Sequence, residues 1–157
     1  MICARLLFSA NGEIGAIIVS MPQDVALADV QKGIAMFRKI SVPVGISSVS
    51  FRASADIMFF PLDLLQITGM ILNQGYFFPP GSTTPFQLFG NADRFHRLAD
   101  RTGIPTLAEL PLVPGVSASG DQGVPYMLWN KQDDGIAGEQ WLESMENVAN
   151  RVWRALG

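Results

Sequence analysis

The sequence predicts an α/β domain in which a mostly parallel sheet is flanked by helices. Two short runs, at 15–20 and 67–72, are apolar on both faces, as in buried strands of a parallel sheet. Each run precedes a segment with helical periodicity, and such alternation of strands and helices favours an α/β fold. With 157 residues, the chain is long enough to form one domain with a buried core.

The first strand and helix form the clearest unit. Gly15–Ser20 predicts a strand, and Pro22 ends it because proline cannot donate a ladder hydrogen bond. Asp24 can cap the next helix, which is predicted over Val25–Ile40. Its apolar face is formed by Leu27, Val30, Ile34 and Phe37. The stretch 45–66 does not continue this alternation of strand and helix, because it is apolar but has neither helix caps nor a clear hydrophobic period.

The second half continues the alternation. Ile67–Leu72 predicts a strand, and Tyr76–Pro85 predicts a loop because proline and glycine punctuate it. Asn91 can cap a helix that runs to Arg101, with Gly103 as its stop.

A strand over Thr106–Leu110, a loop over Pro111–Pro125 and a helix over Gly138–Leu156 complete the prediction. The apolar stripe of the last helix consists of Trp141, Met145, Val148, Val152 and Ala155.

Composition excludes several classes of protein. Apolar residues make up 48% of the chain and charged residues 16%, so it is not disordered by composition. Cys3 is the only cysteine, which excludes a disulfide scaffold. A net charge of −3 without a basic cluster argues against a nucleic-acid-binding protein. No window reaches the ~18 apolar residues of a membrane span, and we expect no secretory signal.

The chemistry-bearing residues do not form a recognisable catalytic motif. The sequence has no Gly-x-x-x-x-Gly-Lys-Ser/Thr phosphate loop and no Cys-x-x-Cys. His96 is the only histidine, and we interpret it as a surface or half-buried helical side chain. Cys3 is predicted to be inert near a frayed terminus, and Asp133 and Asp134 to lie in a solvated loop. Two tryptophans are predicted to pack against the domain rather than bind a ligand: Trp141 and Trp153.

Two blocks resemble the Mrp family, whose members are deviant P-loop ATPases that carry iron–sulfur clusters. Gly15–Lys39 resembles the strand–helix block of that family. The match resumes at Thr68 and continues to the C-terminus, so that the two blocks cover most of the chain. The second block contains Gly69–Asn73, Leu88–Gly90, Leu110–Leu112 and Asp121–Pro125. The segments Pro22–Leu27 and Phe89–Gly90 most resemble those of the mitochondrial members, which help mature respiratory complex I.

This resemblance implies a SIMIBI-class P-loop NTPase fold, of which the chain would hold a part without the N-terminal strands. It implies ATP as ligand, and a homodimer or a heterodimer with a paralogue. It also implies a bridging 4Fe–4S cluster held by two cysteines from each subunit, and iron–sulfur apoproteins as recipients. The mitochondrial matrix is the implied compartment, with the cytoplasm as the alternative.

The chain departs from the family at three places. The phosphate-binding loop of the family lies upstream of the matching blocks, and only residues 1–14 precede them here. The family's two cysteines fall on Pro79 and Ser82, which supply no thiolate. Residues 45–66 interrupt a continuous family segment, either as a real insertion or as translated intron. We therefore expect a single truncated domain over 1–157, without ATP hydrolysis or a stable cluster. Restoring both cysteines should not restore family activity while the phosphate-binding loop is missing.

A residual adenine contact is the one binding site that the resemblance implies. Asn73 falls at the position expected to contact the base, and Pro111 and Leu112 would form part of the wall. Asp121 and Gly123 could shape a nearby loop. The alternative is that Asn73 merely ends a strand and that residues 121–123 form an ordinary turn.

Four hypotheses about function remain open at this stage. The chain is a truncated product of a cluster-carrier gene, or it is a noncatalytic module that pairs with a full-length paralogue through an uncovered sheet edge. A third hypothesis is an independent enzyme that depends on His96, for which the residues offer little support. In the fourth, the chain does not fold and aggregates.

Overall fold

The computed structural model describes residues 3–8, 14–40, 65–129 and 134–156. In these ranges the chain forms a four-stranded sheet with helices on both faces. The strands are β1 (Cys3–Phe8), β2 (Ile14–Ser20), β3 (Leu65–Tyr76) and β4 (Thr106–Pro111). The helices are α1 (Asp24–Ile40), α2 (Asp93–Thr102), α3 (Pro114–Asp121) and α4 (Gly135–Leu156), with a short 3-10 turn at Tyr126–Leu128.

Three of the strands are parallel, which confirms the predicted α/β class with a small parallel sheet. The sheet order is β1-β2-β3-β4, and β3 pairs with both β2 and β4 in the parallel sense. The pairing of β2 with β3 begins at Ile14 opposite Leu65 and ends at Ser20 opposite Leu72. These strands therefore share one amino edge and one carboxyl edge.

The N-terminal strand was not predicted. Cys3 lies in β1 rather than in a frayed terminus, and it pairs antiparallel with Val19 of β2. The opposite end of the pairing joins Phe8 to Ile14. A local antiparallel partner of this kind needs only a short connection, whereas a parallel partner needs a crossover.

The two faces of the sheet bury different helices, because successive residues of a strand point to opposite sides. On one face, α1 and α2 cover a core that contains Ile18, Met70 and Leu72. On the other face, α4 covers Ile17 and Ile71. The predicted stripe of α4 is confirmed where its side chains are described, at Trp141, Met145, Val148 and Val152.

Helix α3 lies within the segment 111–125, which the sequence predicted to be a loop. Pro114 stands in the first turn of this helix, where its missing N–H leaves no hydrogen bond unmade. The predicted starts of two other helices were also displaced. Helix α4 begins at Gly135 rather than at Gly138. Helix α2 begins at Asp93, two residues after the predicted cap Asn91. The Asn91 side-chain Oδ1 accepts a hydrogen bond from the Asp93 N–H at 2.8 Å.

Several sequence predictions fall outside the described residues. These are the interpretation of 45–66 as an insertion, apart from Leu65 and Gln66 at the start of β3, and the solvated position of Asp133. The side chains of Phe37 and Ala155 are also outside them. Within the described part of the chain, no helix has the length and apolarity required to cross a membrane.

Candidate functional site

The carboxyl edge of the parallel strands is the place where the fold gathers the predicted site residues. Strands β2, β3 and β4 end there at Ser20, Tyr76 and Pro111. Open parallel sheets bind ligands beyond the carboxyl ends of their strands. The segments that follow these three residues therefore form the candidate site.

Asn73 lies near the end of β3, and the backbone changes conformation immediately after it. Gln74 has a φ of 57°, in the left-handed region that non-glycine residues rarely adopt. The ladder between β3 and β4 is irregular from Leu72 to Tyr76, so the strand bends at this point. Non-glycine residues in this region cluster at functional sites, and nothing in the sequence marked Gln74 in advance.

Pro111 and Leu112 lie beside the last residue of β3. Pro111 pairs with Tyr76, and the N–H of Leu112 donates to the Tyr76 carbonyl oxygen at 2.7 Å. The Tyr76 hydroxyl in turn donates to Gln140 Oε1 of α4 at 3.1 Å, and burial raises the pKa of this tyrosine, with a further contribution from the charge of Glu109. The end of β3, the end of β4 and α4 are thereby joined at one corner of the carboxyl edge.

Asp121 is not brought into the same cluster. It is exposed in the last turn of α3, and about 10 Å of helix separates it from Pro114 at 1.5 Å per residue. Gly123 adopts a left-handed φ of 69° and ends the helix, with its N–H donating to the Gly120 carbonyl. The assignment of Asn73, Pro111, Leu112 and Asp121 to an adenine contact stays a prediction.

The segment at the expected cysteine positions forms a closed turn. The N–H of Ser82 donates to the Pro79 carbonyl oxygen at 2.9 Å, and Gly81 between them has a φ of 75°. Reciprocal backbone hydrogen bonds of 2.8 and 2.7 Å between Phe77 and Phe86 close the surrounding loop. Ser82 Oγ accepts a hydrogen bond from the Thr84 N–H at 3.1 Å. The donor set at this turn does not fit an iron–sulfur cluster, because Pro79 has no ligand atom and Ser82 offers only a hydroxyl.

A partly buried polar contact lies at the N-terminus of α3. The Tyr126 hydroxyl donates to Asp134 Oδ2 at 2.8 Å, and the Gly115 N–H donates to Asp134 Oδ1 at 3.2 Å. A Cβ at position 115 would overlap the Asp134 carboxylate and lie 2.9 Å from Tyr126 Cε2, so only glycine fits there. The prediction of a solvated loop was therefore wrong for Asp134, whose carboxylate links α3 to the start of α4.

The Tyr126–Asp134 hydrogen bond predicts a dependence of stability on alkaline pH. Burial, the hydrogen bond to Asp134 and the carboxylate charge all raise the pKa of Tyr126 above its usual 10.0. Because the raised pKa favours the protonated form in the folded state, the stabilisation is complete below about pH 9 and is lost as pH rises above 10. Tyr126→Phe should be less stable than wild type near pH 8, by about 1.5–3 kcal/mol.

The measurement is denaturant unfolding of both proteins between about pH 8 and pH 11. The difference in free energy of unfolding should shrink as pH passes 10, because only the wild type has this phenol to ionise on unfolding. A difference that stays constant with pH would contradict the assigned hydrogen bond.

The predictions for His96 and Trp153 concern side chains that lie away from the carboxyl edge. His96 on α2 is half-buried, as predicted, and its Nε2 lies 2.7 Å from Glu109 Oε1 of β4. Trp153, predicted to pack, is 80% exposed on α4. It lies outside the apolar stripe of that helix, which the structure confirms at Trp141. Within the described ranges, no three His, Cys, Asp or Glu side chains are arranged to hold a metal ion.

Comparison with known proteins finds relatives for most of the chain, although no established family profile matches it. The chain is 31% identical to the "Iron-sulfur cluster carrier protein" of Aquifex aeolicus over 125 residues, or 79% of this chain and 28% of the relative. It is 32% identical to the "Iron-sulfur protein required for NADH dehydrogenase, mitochondrial" of Arabidopsis thaliana, over 92% of this chain and 38% of the relative.

A mammalian relative shows a similar identity and a similarly partial coverage of its own length. The "Iron-sulfur cluster transfer protein NUBPL" of Mus musculus is 32% identical over 138 residues, which are 88% of this chain and 35% of that protein. The chain thus spans roughly a third of the length of the relatives that it matches.

Proposed function

Because the chain belongs to the Mrp family of iron–sulfur cluster carriers, we propose that it acts in iron–sulfur protein maturation without holding a cluster of its own. The name of the plant relative, which refers to NADH dehydrogenase and to mitochondria, supports respiratory complex I as the recipient system and the mitochondrial matrix as the compartment. Iron–sulfur apoproteins and a second family subunit are the proposed partners.

The observation that carries this proposal is the closed turn from Pro79 to Ser82. A 4Fe–4S cluster shared between two subunits needs two thiolates from each. The turn offers a proline and a serine at those positions, and the serine oxygen already accepts a hydrogen bond from the Thr84 N–H. In this chain the cluster is therefore a cargo that a partner subunit would have to bring.

This interpretation makes the chain a noncatalytic member of the pathway. We propose that it pairs with a full-length family member, with Asn73, Pro111 and Leu112 as a remaining adenine-side contact. Their position at the carboxyl edge of the parallel strands supports this part of the proposal. Asp121, at the far end of α3, would contribute only to the outer loop.

Anaerobic reconstitution with ferrous iron and sulfide tests the proposal. The wild-type chain is expected to retain neither iron nor sulfide after desalting and to show no visible absorbance of a cluster. The matched variant is Pro79→Cys/Ser82→Cys, which restores two thiolates one turn apart. We expect this variant to retain iron and sulfide, because the missing ligands are then present.

A stoichiometric 4Fe–4S cluster on the wild-type chain would contradict the proposal, because no thiolates at the turn could hold it. The same result would remove the argument for a noncatalytic module. A full-length relative with its cysteines, reconstituted in parallel, shows that the conditions suffice.

A further inference from the structure

Helix α2 presents three arginines along one side. Arg94, Arg97 and Arg101 are spaced by three and four residues, so their side chains fall on the same helix face. All three are exposed, and they line a groove of about 460 Å³ between α1 and α2. The floor of the groove is apolar, because Leu27 and Leu98 are buried beneath it.

The charge of this groove is only partly compensated. Arg94 forms an ion pair with Asp24 at the start of α1. For Arg97 and Arg101, no acidic partner is found among the described residues. On the opposite wall, Asp24 is the one charged lining residue among those described, and the others are Leu27, Ala28 and Gln31. Like charges four residues apart destabilise a helix, and an acidic ligand would relieve this repulsion between Arg97 and Arg101.

A matching acidic stripe lies on α4. Glu139, Glu143 and Glu146 are exposed and are spaced by four and three residues. They lie on the helix face opposite the stripe that packs on the sheet, and no cation pairs with them within the described ranges. Two turns further along the same face stands Trp153, 80% exposed.

We propose that the arginine groove between α1 and α2 receives the acidic stripe of α4 from a second copy of this chain. The outer residues of each charged set are seven positions apart, about 10 Å along a helix, so the two sets are opposite in charge and equal in length. Trp153 lies beside this stripe, and tryptophan is enriched among the residues that anchor protein interfaces. This inference does not depend on the proposed role in cluster maturation.

The two surfaces lie on opposite faces of the sheet, which determines the form of the assembly. One copy cannot use both surfaces on the same neighbour, so the contact is heterologous. A dimer leaves the groove of one copy and the stripe of the other free, so further copies add head to tail. The interaction is charged and largely exposed, and it should therefore weaken strongly with salt.

Sedimentation velocity of the full chain tests the proposal in buffers of about 50 mM and about 500 mM salt. At low salt the mean mass should rise with protein concentration above that of one chain, and at high salt it should return toward one chain. Two neutralising variants are compared with the wild type: Arg97→Gln/Arg101→Gln in the groove, and Glu143→Gln/Glu146→Gln in the stripe. Each variant alone should sediment as a monomer at low salt.

The mixture of the two variants is the decisive sample. Only one intact groove and one intact stripe remain in each pair, so the mixture should form a dimer and grow no further. A wild-type chain that is monomeric at low salt would overturn the proposal, and so would variants that associate as well as the wild type. If that monomer bound an added acidic helical peptide, the groove would be assigned to a different protein partner. Circular dichroism confirms that both variants remain folded.

Discussion

Replacing Phe95 with alanine should lower the free energy of unfolding by about 3–5 kcal/mol, the cost of removing a large aromatic ring from a packed core. Phe95 is fully buried on α2, in the cluster that joins this helix to α1 and to the sheet. Denaturant unfolding of wild type and Phe95→Ala measures the difference.

A second phenylalanine provides the control for this experiment. Phe86 is 60% exposed, and Phe86→Ala removes the same ring from a solvated position. We expect that variant to change stability by less than about 1 kcal/mol, as exposed substitutions commonly do. If the two variants lost equal stability, the packing of α2 on the sheet would be wrong, and with it the position of the arginine groove.

Replacing Asp134 with alanine should cost about 2–4 kcal/mol, because it removes the shared acceptor of two hydrogen bonds in a partly buried site. These donors are the Tyr126 hydroxyl and the Gly115 N–H. The loss should appear as a lower midpoint of thermal or denaturant unfolding. Because the carboxylate ties α3 to α4, hydrogen exchange of the α3 amides should also accelerate.

Asp121→Ala is the matched control, because Asp121 is an exposed aspartate at the other end of α3. Its removal should leave stability nearly unchanged or raise it slightly, since a carboxylate opposes the dipole at a helix C-terminus. A double-mutant cycle with Tyr126→Phe isolates the pair, and additive losses would show that the two side chains do not interact.

The elements that the sequence predicted are those in which local pattern and packing agree. Strand β2 and helix α1 were found because an apolar run and a 3.6-residue period mark them directly. Helix α3 was missed because its residues, Pro114–Asp121, are small and polar and favour turns as much as helices. Strand β1 was missed because a short edge strand of mixed composition has no distinctive period.

The candidate site shows the same division. Asn73 and Pro111 lie at one edge because β3 and β4 are parallel, and only the family resemblance had grouped these two residues in advance. The contact of Asp134 with Gly115 joins residues 19 positions apart and has no motif, so only the folded chain reveals it. The left-handed backbone at Gln74 likewise had no signal, because glycine would have been the residue to suggest it.

The connection from α1 to β3 begins and ends at the amino edge of the sheet, opposite the carboxyl edge at which Asn73 lies. Helix α1 runs back from the carboxyl edge, and Leu65 enters the sheet opposite Ile14 at the amino edge. A longer connection between two fixed ends adds little entropy cost, since each doubling of loop length costs only about 0.6 kcal/mol. A change in the length of this connection would therefore leave the carboxyl edge, and with it the position of Asn73, undisturbed.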